Sequence, residues 1–333
     1  MASAGHPLFS VIIPTRNRST SFAVSLDSVL EQRFRDFEVI VVNDGSSEPH
    51  EARCRELVEA VPGVARVLSL ARSARGHGQS FAVNFGVSHA CGDYLCFLDD
   101  DDQWIDPEHL GRAAGVIAAK PERTDLILTN QRAFRHGAPV PGVVWIEDLQ
   151  DRLRGGPDAA GAYRVTPAEL LTCPAHCHLN TTIASRDFYL EIGGLDDGLR
   201  YENDRDFYLR AIDRARLIKH LPVTVSRHNI PDPSAQASMS TSESEISKRL
   251  YQLRVFDKAV LFSARPELRR YAMRQRTYIL KHIATEAARA GRLDCAAYYA
   301  REALMAGFTL GWLGATALFA ARRLYPVRGA RCR

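Results

Sequence analysis

Residues 9–14 form a short apolar run closed by Pro14, and Phe22, Leu26, Val29 and Leu30 follow at helical spacing. The alternation then repeats. Residues 37–42 are apolar apart from Glu38 and run into the turn-forming sequence Asn43-Asp44-Gly45-Ser46. Residues 64–70 give a third strand pattern, 80–90 a helix stopped by Gly92, 94–98 a fourth strand and 125–129 a fifth. Continuous apolar strands separated by helices predict an α/β fold, with a mostly parallel central sheet flanked by helices on both faces. Ligands of such sheets bind beyond the carboxyl ends of the strands. Thr15-Arg16-Asn17, Asn43-Asp44-Gly45 and the run 99–102 each follow a strand directly, so the pattern predicts three polar clusters on one rim.

Periodicity weakens over residues 135–175, which are rich in Gly and Pro and predict an excursion from the core over that rim. Beyond residue 230 the character changes. Ile246, Leu250, Leu253, Phe256 and Val260 have helical spacing, and Ala- and Arg-rich helical segments continue to the end. The chain therefore divides by pattern into residues 1–230 and a helical region, 231–333. Residues 303–321 carry no charge and precede Arg322, Arg323, Arg328, Arg331 and Arg333. Their length admits a membrane span. Gly307, Thr309, Gly311, Gly314 and Thr316 dilute the run, which better suits a buried helical hairpin or a helix lying on anionic lipid.

With 46% hydrophobic and 25% charged residues in 333, the composition is that of an ordinary soluble globular protein. Lys and Arg total 43 against 39 acidic residues, too small an excess for a dedicated nucleic-acid binder. Seven cysteines, an odd number, and no charged-then-apolar leader in residues 1–7 lead us to expect a reducing, cytoplasmic compartment. Cys173, His176, Cys177 and His178 are crowded into one stretch with no distant second pair. That spacing predicts a loop with buried thiols rather than a zinc site.

Chemistry concentrates at Asp99-Asp100-Asp101-Asp102. Four adjacent carboxylates repel one another and need cations or water to offset the repulsion. At a strand end on the binding rim they suit Mg²⁺ or Mn²⁺, hard ions that bridge to phosphates. The chain lacks a P-loop and a G-x-G-x-x-G after its first strand, which argues against a P-loop kinase and an NAD enzyme.

Across residues 8–230 the ordered motifs resemble the GT-A fold glycosyltransferases of family 2. Ser10 to Arg18 is similar to the family's opening strand and nucleotide loop, implying donor contacts from Pro14, Thr15, Arg16 and Asn17. Val41-Val42-Asn43-Asp44-Gly45-Ser46 is similar to the motif whose Asp reads uracil, here Asp44. Gly78, Ala82, Asn84 and Gly86 fit the helix before the metal motif. Val83 stands where the family often has Arg, and either Arg75 or His77 would then supply the charge. The family's D-x-D segment corresponds to residues 97–104. It implies Asp99 at the ribose or metal shell, Asp100 on the donor side, Asp101 as direct metal ligand and Asp102 as support for the turn. Gly193-Gly194-Leu195-Asp196 and residues 203–210 resemble the acceptor turn and helix, implying Asp204 as general base. Asn203 replaces the usual Glu, and adjacent Glu202 is the reserve. His228 resembles the late His of the metal or diphosphate site, while His178 and Asn180 fall where donor sugar or acceptor would touch. The Ser/Thr-rich residues 234–244 would close over the donor.

The resemblance implies an inverting transferase with Mn²⁺ or Mg²⁺ as cofactor. It would move a sugar from a nucleoside diphosphate donor, a UDP-sugar above all, to a glycan or lipid-linked acceptor in bacterial surface polysaccharide or lipopolysaccharide synthesis. Contact would be peripheral, on the inner face of the membrane, with no nucleic acid involved. The alternatives are a degenerate nucleotide-sugar-binding relative, suggested by Asn203 and Val83, and a sugar nucleotidyltransferase, which lacks its Gly-rich loop here.

Overall fold

The apolar runs of the N-terminal half are strands because most of their side chains are covered on both faces. A computed structural model describes residues 6–119, 122–231, 241 and 243–324. It divides the chain into two compact units, residues 1–232 and 233–333. The first unit begins with the alternation β1 (Phe9–Thr15), α1 (Ser19–Leu30), β2 (Phe37–Asn43), α2 (Glu48–Glu59), β3 (Ala65–Ser69), α3 (Gln79–Ser88) and β4 (Tyr94–Phe97). It continues through β5 (Gln103–Trp104), α4 (His109–Ala118), β6 (Leu126–Arg135), β7 (Ala138–Pro139), β8 (Tyr163–Val165) and α5 (Pro167–Leu170). It closes with β9 (Thr182–Ser185), α6 (Arg186–Glu191), α7 (Asn203–Arg214) and β10 (Ile218–Asn229).

One sheet runs in the order β3-β2-β1-β4-β9-β6-β10-β5, with β7 on β6 and β8 on β10. The β3-β2-β1-β4 half is parallel, as the apolar runs predict. Beyond it the sheet is mixed: β9 lies antiparallel between β4 and β6, and β6 and β10 pair in parallel. Strand β6 extends past the expected 129 to Arg135, through Asn130 and Gln131, which are polar yet buried. Strand β10 shows no simple period in sequence because its register against β6 shifts twice between His220 and Ser226.

Packing on the two faces fixes the rim. Val11, Ile13, Val39 and Val41 meet Phe22, Leu26 and Val29 in one core. On the other face Gly86 lets α3 lie close to the sheet: a Cβ there would sit 2.8 Å from Ile12 Cγ2 and 3.0 Å from Val42 Cγ2. Helix α7 is anchored under β4 by an aromatic cluster, with Phe207 centred 5.2 Å from Tyr189 and 6.4 Å from Phe97.

The second unit contains α8 (Glu245–Phe262), α9 (Pro266–Arg289), α10 (Leu293–Ala306) and α11 (Leu310–Leu324). Ala284, Ala287, Ala296 and Ala300 form a small-residue core closed by Phe319, and Trp312 Nε1 donates to Ala300 O at 2.9 Å. The uncharged run 303–321 is thus a helical hairpin broken at residues 307–309. Among the described residues no helix is long and apolar enough to cross a membrane. Gly307 marks the break, since a Cβ there would meet Thr277 Cγ2 at 2.8 Å. Arg328, Arg331, Arg333 and eight of the eleven residues of the Ser/Thr-rich loop 234–244 lie outside the described residues.

Phe207→Ala should cost about 3–5 kcal/mol, as expected for emptying a buried aromatic site. Urea unfolding of the full chain measures it. A loss below about 1 kcal/mol would mean that the aromatic cluster does not hold α7.

Candidate active site

The four aspartates of the β4 turn are separated by giving each different partners. Asp100 is buried and turned toward β1, where it accepts from Thr15 Oγ1 at 2.8 Å, Arg18 Nη1 at 3.1 Å and Arg16 N at 3.4 Å. Arg18 Nη1 also donates to Asp101 Oδ2 at 2.7 Å. Asp102 is buried and accepts from His228 Nδ1 and Asn229 N, both at 2.7 Å, and from Asn180 Nδ2. Asp99 Oδ1 accepts from Gln79 Nε2 at 2.5 Å, and Asp99 N donates to Asn180 Oδ1 at 2.9 Å. Asn180 therefore ties two of the acids together.

These contacts do not cancel the repulsion. Burial, then the neighbouring carboxylates, push Asp99 well above the usual carboxylate range and Asp101 up to about 6. Burial would lower His228, yet Asp102, Asp99 and Asp101 raise it to about 9. Burial and the neighbouring His228 lower His178 to about 4. Among the described residues two side-chain cations, Arg18 and His228, thus offset the cluster in part.

The other two rim clusters are knitted to it. Asp44 Oδ1 accepts from His77 N at 2.8 Å and His77 Nδ1 at 2.7 Å, and its Oδ2 accepts from Gly78 N at 3.0 Å. Burial opposes ionisation of Asp44, but these donors hold it below the usual carboxylate range. Gly76 makes the contact possible: its φ is +66°, and a Cβ would lie 2.5 Å from Asp44 Oδ2. Asn17, at φ +56°, donates from N to Ser46 Oγ at 2.9 Å and accepts from Ser47 N at 2.7 Å. Arg16 Nη2 donates to Ser73 O at 3.1 Å and Ala74 O at 3.2 Å, and Pro14 pairs across β2 with Val42.

Asp204 enters from the first turn of α7. Its Oδ1 accepts from Arg205 N at 2.8 Å and its Oδ2 from His176 Nε2 at 2.8 Å. Burial would raise it, but His176, His178 and Arg205 hold it far below the usual carboxylate range. His178 Nε2 stands between the two halves of the site, 3.9 Å from Asp99 Oδ2 and 3.8 Å from Asp204 Oδ2. The turn ahead of α7 is clamped by Arg210, which donates to Ile192 O at 2.8 Å and Gly194 O at 2.7 Å. Within the excursion predicted over the rim, Trp145 presents its ring to His228 edge-on at 5.6 Å.

Several residues do other things than the sequence suggests. Glu202 forms a 2.6 Å ion pair with Arg205 from a left-handed backbone at φ +64°. Asn203 donates to Gln79 Oε1 at 3.2 Å. Val83 is a core residue, His77 pairs with Asp44, and Arg75 O accepts from Arg200 Nη1 at 3.1 Å. One cation beside the acids is Arg18, which follows β1, the strand next to β4. Arg18, Gln79 and His176 escaped the sequence reading as site residues. Arg18 lies within the opening motif, and His176 lies within the Cys/His stretch set aside as a loop. Cys177 in that stretch is buried beside Thr129 and Thr181, and burial pushes its thiol up to about 12.

Two overlapping sets of side chains can hold a cation: Asp99, Asp101 and Asp102, and Asp102, His178 and His228, the ligand atoms of each lying within 4.8 Å of one another. The donors are mostly carboxylate oxygens with imidazole at one side and no thiolate. They fit Mg²⁺ or Mn²⁺ better than a structural zinc. Asp102 belongs to both sets, a ligand position beyond its expected role in the turn.

Because Asp101 binds its proton more tightly folded than unfolded, it takes stability away as pH rises from about 4 to 6, and the full penalty persists above that window. Asp101→Asn should therefore raise the melting temperature of metal-free protein at pH 8 and have little effect near pH 4. A lower melting temperature at pH 8 would contradict this.

Residues 10–135 match the family described as glycosyl transferase family 2. The chain is similar to the amylovoran biosynthesis glycosyltransferase AmsB of Erwinia amylovora, 38% identical over 96 residues. That match covers 29% of this chain and 31% of AmsB, so it spans less than a third of that relative's length. The fold is that of S. aureus TarS in complex with UDP-GlcNAc, with a TM-score of 0.62 at 17% identity over 95% of this chain and 87% of that one. It is equally that of the mannosyltransferase PcManGT from Pyrobaculum calidifontis in complex with GDP-Man and Mn²⁺, with a TM-score of 0.59 at 20% identity over 97% and 88%. An ordered rim of strand-end motifs, the family match across it and the shared fold together identify the chain as carrying a family 2 glycosyltransferase domain of the GT-A type.

Proposed function

We propose that the protein transfers a sugar, with inversion, from a nucleoside diphosphate donor to a hydroxyl of a glycan or lipid-linked acceptor. The observation that carries this reading is the span of His178, whose Nε2 lies within 4 Å of both Asp99 and Asp204. An acidic, cation-holding cluster and a separate ionised carboxylate therefore face one another across a single side chain. Asp204 accepts the acceptor proton as the oxygen attacks the anomeric carbon, on the side opposite the departing diphosphate. General-base help of this kind contributes about 10²–10⁴ in rate. A divalent ion held by Asp99, Asp101 and Asp102 with His228 would supply the positive charge that favours departure of the diphosphate. Thr15, Arg16 and Asn17, with Asp44 and Gly78, build the wall for the nucleotide, and Asp100 stiffens it from below.

The TarS structure contains UDP-GlcNAc and the PcManGT structure GDP-Man with Mn²⁺, which supports a nucleotide-sugar donor of this class and a divalent cofactor. A UDP-sugar agrees with the placement of Asp44. AmsB is named as a glycosyltransferase of amylovoran biosynthesis, which supports a biosynthetic sugar transfer of this kind. The acceptor would then reach the enzyme at the inner face of the membrane. The tip of the α10–α11 hairpin supports this, with Met305 81%, Phe308 65% and Leu310 78% exposed and Arg322 and Arg323 on the last turns of α11. A cytoplasmic protein touching lipid at its surface fits these features.

Melting with UDP-GlcNAc or GDP-Man, each with and without Mn²⁺, tests the donor reading. A donor at a hundred times its dissociation constant adds about 2.7 kcal/mol of stability. The expected result is a Mn²⁺-dependent rise with one donor. Asp204→Asn should keep that rise and lose about 10²–10⁴-fold in release of nucleoside diphosphate. No rise with either donor would defeat the donor site, and a rise without turnover in wild type would leave a binding protein.

Flotation with phosphatidylglycerol vesicles tests the lipid contact. Wild type should float, and the double variant Met305→Asp with Phe308→Asp should not. Wild type that stays in solution would end the membrane reading.

A further inference from the structure

His176 is a half-buried imidazole for which the mechanism above finds no use. It sits just ahead of the 3-10 turn at Leu179–Thr181, on a loop held from below by the buried Cys177 thiol against Thr181 Oγ1 at 3.2 Å. Its ring packs beside Tyr208 of α7, centred 6.1 Å away. Nε2 meets Asp204 Oδ2 at 2.8 Å, and Nδ1 is buried with no hydrogen-bond partner among the described residues. An ionised carboxylate can only accept, so Nε2 carries the proton. The one hydrogen bond the ring makes among the described residues is its donation to Asp204.

Asp204 needs such a partner. Its Oδ1 is bonded to the adjacent Arg205 N, which fixes one oxygen but leaves the carboxylate plane free to turn about that contact. Asp204 Oδ2 and His178 Nε2 are 3.8 Å apart, beyond hydrogen-bond range, and His178 Nδ1 is already engaged by Asn180 N. Among the described residues the second bond, from His176, sets the plane and so decides which lone pairs face the rim. Resting on the reading of Asp204 as the base, we infer that His176 is a positioning residue. By donating Nε2–H to Oδ2 it aims the free lone pairs of Asp204 at the acceptor hydroxyl.

A misplacement of about 1 Å in such a group costs about 10²-fold in rate. The test uses the full chain with Mn²⁺ and both UDP-GlcNAc and GDP-Man, reading release of nucleoside diphosphate with water as acceptor. His176→Phe keeps the ring shape and removes the donor, while His176→Gln places an amide N–H near the position of Nε2. His176→Phe should lower kcat by about 10²-fold with the donor KM unchanged. His176→Gln should recover most of that loss. Melting temperatures check that both variants are folded. A wild-type kcat in His176→Phe, a His176→Gln no better than it, or a donor KM that rises as kcat falls would each overturn the inference.

Asp204→Asn, run beside them, separates the two ideas. If it turns over like wild type, the base assignment falls. If it is inactive while His176→Phe is normal, only the positioning role falls. Wild type inert toward both donors would remove both.

Discussion

Four carboxylates crowded at the end of one buried strand are the constraint around which the rest of the site is arranged. Like charges this close cannot all stay ionised in a dry environment unless cations or donors are brought to them. The fold recruits those partners from distant parts of the chain: Arg18 after β1, Gln79 at the start of α3, Asn180 before β9, and His228 with Asn229 at the end of β10. The compensation is incomplete, since Asp99 and Asp101 remain reluctant to ionise and His228 is held protonated. The cluster is left short of positive charge, and the divalent ion proposed above would supply it.

The mixed sheet follows from this need. A parallel sheet alone would put strand-end loops on the rim, but all from one direction. Inserting β9 antiparallel between β4 and β6 carries residues 176–180 to the same edge from the opposite sense. The paired strands β6 and β10 then deliver His228 beside Asp102. Helix α7 completes the enclosure, with its aromatic underside locked to Tyr189 and Phe97 and its first turn presenting Asp204. The negative charge of Asp204 sits at a helix N-terminus, where the backbone dipole favours it.

Rigidity at the rim comes from residues that first suggest ligand contact. Asp44, Asp100 and Asn17 are occupied with other parts of the protein, each joining two loops that are far apart in sequence. Two non-glycine residues at the rim, Asn17 and Glu202, hold left-handed backbones. Strain of that kind persists where surrounding contacts over-determine the conformation.

The sequence by itself determined the parallel half of the sheet, because burial on both faces leaves β1, β2 and β4 as short apolar runs separated by helical spacing. It also placed three polar clusters on a common rim, since strand polarity and connectivity require it, and the spacing of Asp99 to Asp102 pointed to a cation. It separated the helical C-terminal region by a change of period. What it left undecided were features that depend on distance in space. Strands β6 and β10 carry buried polar residues and bulges, so neither shows a clean period. Arg18 reaches the acids because β1, the strand it follows, lies next to β4. The run 303–321 is a hairpin rather than one helix because Gly307 must pass close to Thr277. His176 meets Asp204 because β9 folds back antiparallel and α7 packs against Phe97 and Tyr189, and no spacing along the chain encodes that meeting.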